Sequence, residues 1–481
     1  MTTTSPPEID LTTIIRGSVT APAGFGKTQV IASTIAANPK QRFLVLTHTN
    51  AGVRSLHNRI RATGAHRSAH IETISGLALR LARAFPTGSH WNEDTGIDHP
   101  AALDAANTIL QRPTVLRALL NGYDQIIVDE YQDCSIVQHE IITRLADHLS
   151  TVVLGDPLQA IFDFKTQPVI PWTEVTASFP TAGILDTPHR WSNTNPELGQ
   201  WLRTIRAPLT AGQPIKLPST SAVDIRMLNR PVRQGGLHAC IHDAGSTVII
   251  IPNSGNKRQI PSYAKTISNR ASAHEAAEQP ELLDFVAAIT GDVSAAAVLL
   301  ASIEFAIATT TGVTKPSQVT TLRNNLKKSM KIGHGKNDLT DRAADFISTQ
   351  SGNALAAFII HLTSAESCAT YRPGLLYALL AALRILGSEP LTELPDAARK
   401  TIDARRRIAP RSTARCSVGS TLLVKGLEYD YVTLIEPARV PSAKHLYVAL
   451  SRARHKSHSR SLPIPNSDNG SSKSHIPIQP T

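Results

Sequence analysis

Hydrophobic positions in the first 190 residues fall into short runs separated by longer stretches with helical spacing. Ile14–Val19, Phe43–Thr47, Gln125–Asp129 and Thr151–Gly155 read as strands, the last three as buried ones. Strands alternating with helices predict an α/β fold with a parallel sheet, whose functional residues gather past the C-terminal strand ends. Lys27, Asp129 and Asp156 all follow such ends, so one ligand can touch all three. A second apolar block opens near Ile184 and includes the β-branched run Ser246–Ile251. From about 275 to 405 the pattern becomes Ala/Leu-rich and helical, as in Leu282–Ile289 and Leu375–Leu383. Strand character returns at Ser420–Val424 and Asp430–Ile435. The tail from His455 is Ser-, Pro-, Asn- and Lys-rich without a period and is expected to be disordered.

Composition narrows the classes. A chain of 481 residues is long enough for two or three domains. The four cysteines, Cys134, Cys240, Cys368 and Cys416, form no C-x-x-C pair, which argues against a zinc ribbon, an iron–sulfur clamp or a disulfide framework. No apolar run approaches the roughly 18 residues of a spanning helix, and Met1–Glu8 has no secretory pattern. A cytoplasmic protein with no membrane partner is expected. The formal charge of +11 suits a polyanionic partner such as nucleic acid, with a generic basic surface as the alternative.

Ala21-Pro22-Ala23-Gly24-Phe25-Gly26-Lys27-Thr28 has the form [A/G]-x-x-x-x-G-K-[S/T] between a strand and a helix. Such a loop turns backbone N–H groups onto phosphates at a helix N-terminus. Ala23, Gly24, Gly26, Lys27, Thr28 and Gln29 are therefore candidate nucleotide contacts. Lys27 would reach the β/γ-phosphates and Thr28 would ligate Mg²⁺. Asp129-Glu130-Tyr131-Gln132-Asp133 supplies a strand-end Asp for the metal and Glu130 to activate water. Gln159, in Gly155–Phe162, can sense a γ-phosphate. Of the nearby aromatics, Phe162 reads as core and Phe164, beside Lys165, as a base-stacking candidate.

Taken in order, these segments resemble a superfamily 1 helicase of the UvrD/Rep type, over roughly residues 19–454. Leu46–Ala51 resembles the T-x-T-N segment and Ile71–Leu77 the next DNA-contacting motif. Asp129–Asp133 is similar to D-E-[FY]-Q-D, and Gly155–Phe162 to G-D-x-x-Q-x-I-Y. Pro188-His189-Arg190 resembles the motif whose Arg meets the γ-phosphate. Val424–Tyr429 is similar to K-G-L-E-[FW], and Tyr447–Arg454 to Y-V-[AG]-x-[ST]-R-A.

The resemblance implies two RecA-like P-loop domains with parallel sheets, a small insertion in the first and a helical insertion in the second. Residues 1–190 would form the first domain, with its insertion at about 78–120. Residues 191–274 and 406–454 would form the second, with the helical insertion at 275–405 and the tail at 455–481. It also implies ATP and Mg²⁺ as cofactors, with Lys27, Glu130, Gln159, Arg190 and Arg452 in hydrolysis, Thr28 and Asp129 at the metal, and Glu428 at the ribose. Thr47, His48, Thr49, Asn50, Thr73, Ser75, Phe162, Phe164, Lys425 and Gly426 would contact DNA.

The implied activity is 3′-to-5′ translocation on single-stranded or partial duplex DNA, with ATP hydrolysed in the cleft between the two domains. Repair, recombination or phage defence is the expected setting, with a nuclease or repair protein as a possible partner. Two other readings stand beside it: a nucleotide-sensing ATPase component of a larger nuclease complex of the Gabija type, and an RNA helicase. The run Ile9–Arg16 lacks the family's adenine-reading Gln. The polar stretch His455–Ser461 replaces the family's further apolar strand, leaving an edge strand expected to be missing or supplied by a partner.

Overall fold

The computed structural model describes residues 8–86, 99–162, 168–216, 223–227, 237–238, 240–242, 244–252, 258–276, 279–406, 415–461 and 475–476. The protein is α/β, and its chain forms two compact units. One comprises Met1–Val223, Val440–His455 and Gly470–Thr481; the other comprises Asp224–Arg439 and Lys456–Asn469.

The first unit is built on six strands: β1 (Arg16–Thr20), β2 (Phe43–Thr47), β3 (Ala69–Thr73), β4 (Gln125–Val128), β5 (Thr151–Gly155) and β6 (Thr181–Ile184). Their order is β3-β2-β4-β5-β1-β6, and every neighbouring pair is parallel. Parallel strands need crossovers. Helices α1 (Lys27–Ala37), α2 (Asn50–Ala62), α3 (Ile74–Ala84), α4 (His99–Ile109), α5 (Pro113–Leu120), α6 (Ile136–Ala146) and α7 (Trp172–Ser178) supply them. Covered on both faces, β2, β4 and β5 are buried along their whole length, which explains their near-continuous apolar runs.

Leu46, Ile126 and Val153 pack in one core with Leu77 of α3, Leu103 of α4, Leu116 of α5 and Ile142 of α6. The segment expected as an insertion at 78–120 thus contributes helices to the main core of this unit. The start of α6 is set locally: Ser135 accepts from the Gln138 N–H, and the Gln138 side chain accepts from the Ser135 N–H, a capping box. Strand β3 was not read from the sequence. Its half-exposed edge position leaves it without an apolar run.

The remaining strands are β7 (Ile215–Lys216), β8 (Val223–Met227), β9 (Thr247–Ile250), β10 (Ala271–Ala273), β11 (Thr310–Thr311), β12 (Ala369–Thr370), β13 (Cys416–Gly419), β14 (Tyr429–Ile435), β15 (Ala453–Ser461) and β16 (His475–Ile476). A second six-stranded sheet has the order β10-β13-β9-β14-β15-β8, parallel from β10 through β14. Between β10 and β13 the chain is mostly helical, and Leu299, Phe346, Phe358 and Leu379 centre a separate apolar core there.

Three expectations change. Ser420–Val424 is not a strand: β13 ends at Gly419, and Thr421–Val424 is one helical turn closed by the Val424 N–H on the Ser420 carbonyl. Gly419 permits this because a Cβ there would lie 3.0 Å from the Val424 side chain. Secondly, β15 runs through the polar stretch 455–461 that was expected to be disordered. Its backbone takes a place in the sheet between β14 and β8, a position that side-chain pattern does not report. The rest of the expected tail lies outside the described residues except for β16, which pairs antiparallel with β7. Thirdly, the first unit extends past residue 190 and takes in 440–455. Helix α8 (Pro196–Thr204) packs so closely on the preceding turn that a Cβ at Gly199 would lie 3.0 Å from both Pro188 and Trp191. The Trp191 indole N–H donates to the Ala453 carbonyl at 2.7 Å.

At the end of β10, His274 is buried and its ring nitrogen bonds the Tyr429 hydroxyl. Burial lowers its pKa from the usual 6.5 to about 4. The folded state therefore binds this proton less readily than the unfolded chain, so stability present above pH 6.5 is lost as pH falls towards 4. By pH 5 the loss amounts to about 2 kcal/mol. Thermal denaturation at pH 7 and pH 5 checks this: the wild-type melting temperature should fall more steeply than that of His274→Gln.

Candidate active site

The loops after β1, β4 and β5 meet at the C-terminal end of the first sheet because those parallel strands are neighbours in the order β4-β5-β1. The loop after β1 is tied to β5 by the Ala21 N–H on the Gly155 carbonyl at 2.8 Å. Gly24 and Gly26 have φ of 78° and 88°, left-handed values that disfavour a side chain. A Cβ at Gly26 would also lie 2.7 Å from the His189 ring, and one at Gly24 2.7 Å from the Trp191 ring. Helix α1 starts at Lys27 with no side chain capping its first turn, leaving backbone donors for an anion.

The Lys27 ammonium is nearly buried between two carboxylates, 3.1 Å from Asp129 Oδ1 and 2.7 Å from Glu130 Oε1. Burial opposes its charge, but Asp129 and then Glu130 outweigh burial, so the pKa lies above the usual lysine value. Glu130 itself has φ 57°, a left-handed conformation that costs on the order of 1 kcal/mol outside glycine. Its N–H donates to Asp129 Oδ1 at 2.9 Å. Gln132 joins this turn to the next strand: its amide N–H donates to Glu130 Oε2 at 2.6 Å, and its carbonyl accepts from the Asp156 N–H at 3.0 Å. A Cβ at Gly155 would lie 2.9 Å from that carbonyl, so glycine is what lets the side chain cross.

Past β5, Asp156 is fully buried and accepts from both Arg206 guanidinium nitrogens, at 3.0 and 2.8 Å, and from Gln159 Nε2 at 3.0 Å. Gln159 Oε1 accepts from Arg452 Nη2 at 3.3 Å. Arg452 is 2% exposed, with Nε donating to the Val448 carbonyl at 3.0 Å. Arg190 Nη1 donates to the Ser451 carbonyl at 2.6 Å, and its guanidinium stands over the Trp191 ring. The expected γ-phosphate group of Gln159, Arg190 and Arg452 thus lies within the first unit. Arg206 was not singled out from the sequence, since it belongs to no motif and nothing local marks it.

The remaining candidates separate. Thr47 is fully buried, and a Cβ at Gly52 would lie 2.8 Å from its hydroxyl, so its side chain faces α2 instead of solvent. Thr49 and Asn50 are exposed at the start of α2, where Thr49 Oγ1 caps the Gly52 N–H at 3.0 Å. Thr73 caps α3 through the Gly76 N–H at 2.9 Å, and Ser75 is half-buried. His48 Nε2 lies 3.2 Å from the buried Cys134 thiol, linking the loop after β2 to the Asp129–Asp133 turn. Burial pushes that thiol well above its usual pKa, so it stays protonated. Gln29 bonds Ser33 within α1. Phe162 is half-buried, and Phe164 lies outside the described residues. In the second unit, Lys425 is half-buried, while Gly426 (φ 80°) and Glu428 are exposed.

The donor set fits a triphosphate with Mg²⁺. Backbone donors and Lys27 suit phosphate oxygens, and Thr28 and Asp129 are hard oxygen ligands. Among the described residues no group of three or more His, Cys, Asp or Glu side chains could hold a metal.

Residues 16–101 and 92–170 match the UvrD/REP helicase N-terminal domain family. A stretch of 60 residues is 35% identical to an ATP-dependent helicase/nuclease protein of Oenococcus oeni, covering 12% of this chain and 5% of that protein. The structure of Arterivirus nonstructural protein 10 (helicase) with DNA aligns over 94% of this chain and 61% of that one, at 9% identity and a TM-score of 0.34, a distant likeness. Among the described residues no helix is long and apolar enough to cross a membrane. The match over residues 16–170, which hold the Lys27 loop and the Asp129–Asp133 turn on a parallel sheet, identifies this part of the chain as a UvrD-like helicase N-terminal domain.

Proposed function

We propose that this protein is an ATP-driven translocase and helicase acting on single-stranded or partial duplex DNA, built from two RecA-like domains with a helical insertion in the second. The observation that carries the reading is Lys27 clamped between Asp129 and Glu130 beneath an uncapped helix start. In this arrangement two carboxylates share one lysine, whose single charge offsets only part of theirs. Phosphate entering the loop would draw the ammonium away and leave Glu130, held by Gln132, free to orient and deprotonate water. When bound, Mg²⁺ at Thr28 and Asp129 would offset charge on the transferring phosphoryl group. Gln159, Arg190 and Arg452 would respond to the γ-phosphate. By family resemblance Glu428 is assigned to the ribose, His48, Thr49, Asn50, Thr73, Ser75, Lys425 and Gly426 to DNA, and the direction is 3′-to-5′. The name of the Oenococcus oeni relative, which couples helicase with nuclease, supports a second reading in which the chain works with a nuclease.

Steady-state ATP hydrolysis with and without single-stranded DNA tests the proposal. DNA should stimulate hydrolysis. Glu130→Gln should lower kcat by roughly 10²-fold or more with nucleotide binding retained, and Lys27→Ala should lower kcat/KM by a similar factor. Hydrolysis unchanged in both variants would sink the reading. For DNA, Lys425→Ala should weaken single-strand binding and reduce the slope of log affinity against log salt by about 0.7. An unchanged slope removes Lys425 from the phosphate contacts.

A further inference from the structure

Asp156 has no exposed surface, and a carboxylate so placed must be paired. Arg206, the first residue of α9 (Arg206–Thr210), pairs with it through both fork nitrogens, while its guanidinium lies 5.0 Å from the centre of the Tyr447 ring. Burial opposes the cation, but Asp156 outweighs burial and keeps it charged. The consequence falls on Gln159. Its Nε2 is committed to Asp156 Oδ2, so its carbonyl oxygen must face away, and there it accepts from Arg452. An amide has one donating and one accepting end. The Leu158 N–H also holds Asp156 Oδ1 at 3.1 Å, but on that tie alone Oδ2 could swing off Gln159, and the amide could then flip and present N–H groups to a guanidinium that can only donate.

We propose that Arg206 is a positioning residue: by clamping Asp156 it fixes which end of the Gln159 amide meets Arg452, and so sets the response of that pair to the γ-phosphate. This rests on the reading above, in which Gln159 and Arg452 serve ATP hydrolysis. Arginine suits the task because its planar fork holds both carboxylate oxygens at once, which a lysine ammonium does not.

The test compares wild type, Arg206→Lys and the double variant Asp156→Leu with Arg206→Met, on the full chain. Lysine keeps the charge and loses the fork. The double variant leaves no buried charge unpaired and is expected to fold, as melting temperature will report. Both should lower kcat roughly tenfold or more while KM for ATP moves little. Both should also narrow the ratio of affinities for a non-hydrolysable ATP analogue and ADP. Arg206→Lys with wild-type kcat and affinity ratio overturns the proposal. So does a double variant with wild-type kcat, because Arg206 would then only neutralise a buried charge. Should Arg206→Lys fail to fold, the double variant decides alone. Lys27→Ala separates the two levels: wild-type hydrolysis that does not depend on Lys27 removes the functional reading, whereas Lys27-dependent hydrolysis insensitive to position 206 removes only this inference.

Discussion

Charges at the strand ends of the first sheet sit where water reaches poorly, and each must be neutralised by another. Lys27 answers Asp129 and Glu130, and Arg206 answers Asp156. A buried charge left alone is far more costly than one that is paired and hydrogen-bonded. Strand order brings the loops after β1, β4 and β5 together, and the pairing of these charges ties them to one another. Gly155 lacks a side chain so that Gln132 can cross, and Glu130 holds a left-handed conformation within the same turn that Gln132 bonds.

This economy links the pieces. Gln132 connects the Glu130 turn to the Asp156 backbone, Asp156 connects to Gln159, and Gln159 connects to Arg452. Under the proposed function, a phosphate that displaces Lys27 from the carboxylates enters at one end of this chain, and the γ-phosphate-sensing arginines stand at the other. His48 on Cys134 joins the loop after β2, whose neighbours are assigned to DNA, to the same turn. Such contiguity supplies a physical route for coupling. The coupling itself would appear as non-additive effects when two of these residues are altered together.

Much of this was legible in the residues. The buried strands β2, β4 and β5 announce themselves because parallel strands covered on both faces need unbroken apolar runs. The Lys27 loop and the Asp129–Asp133 turn are local motifs whose chemistry is written in adjacent residues. Where strand positions are set by backbone pairing, the pattern is silent: β3 at its sheet's edge and polar β15 were missed, and Ser420–Val424 reads as a strand yet closes into a helical turn. Thr47 matches a DNA-contacting motif, but its side chain is turned inward.

The sequence by itself determined the α/β class, the order of the motifs and the residue types available for a triphosphate, because these depend on spacing along the chain. Only the tertiary structure decided which distant side chains meet. Residue 156, residue 206 and the segment 447–452 lie far apart in sequence, and their association satisfies a buried carboxylate whose need no local pattern expresses. It likewise decided that 440–455 packs with the first unit, since hydrogen bonds from Trp191 and Arg190 to backbone carbonyls do not depend on the identity of the residues that supply them.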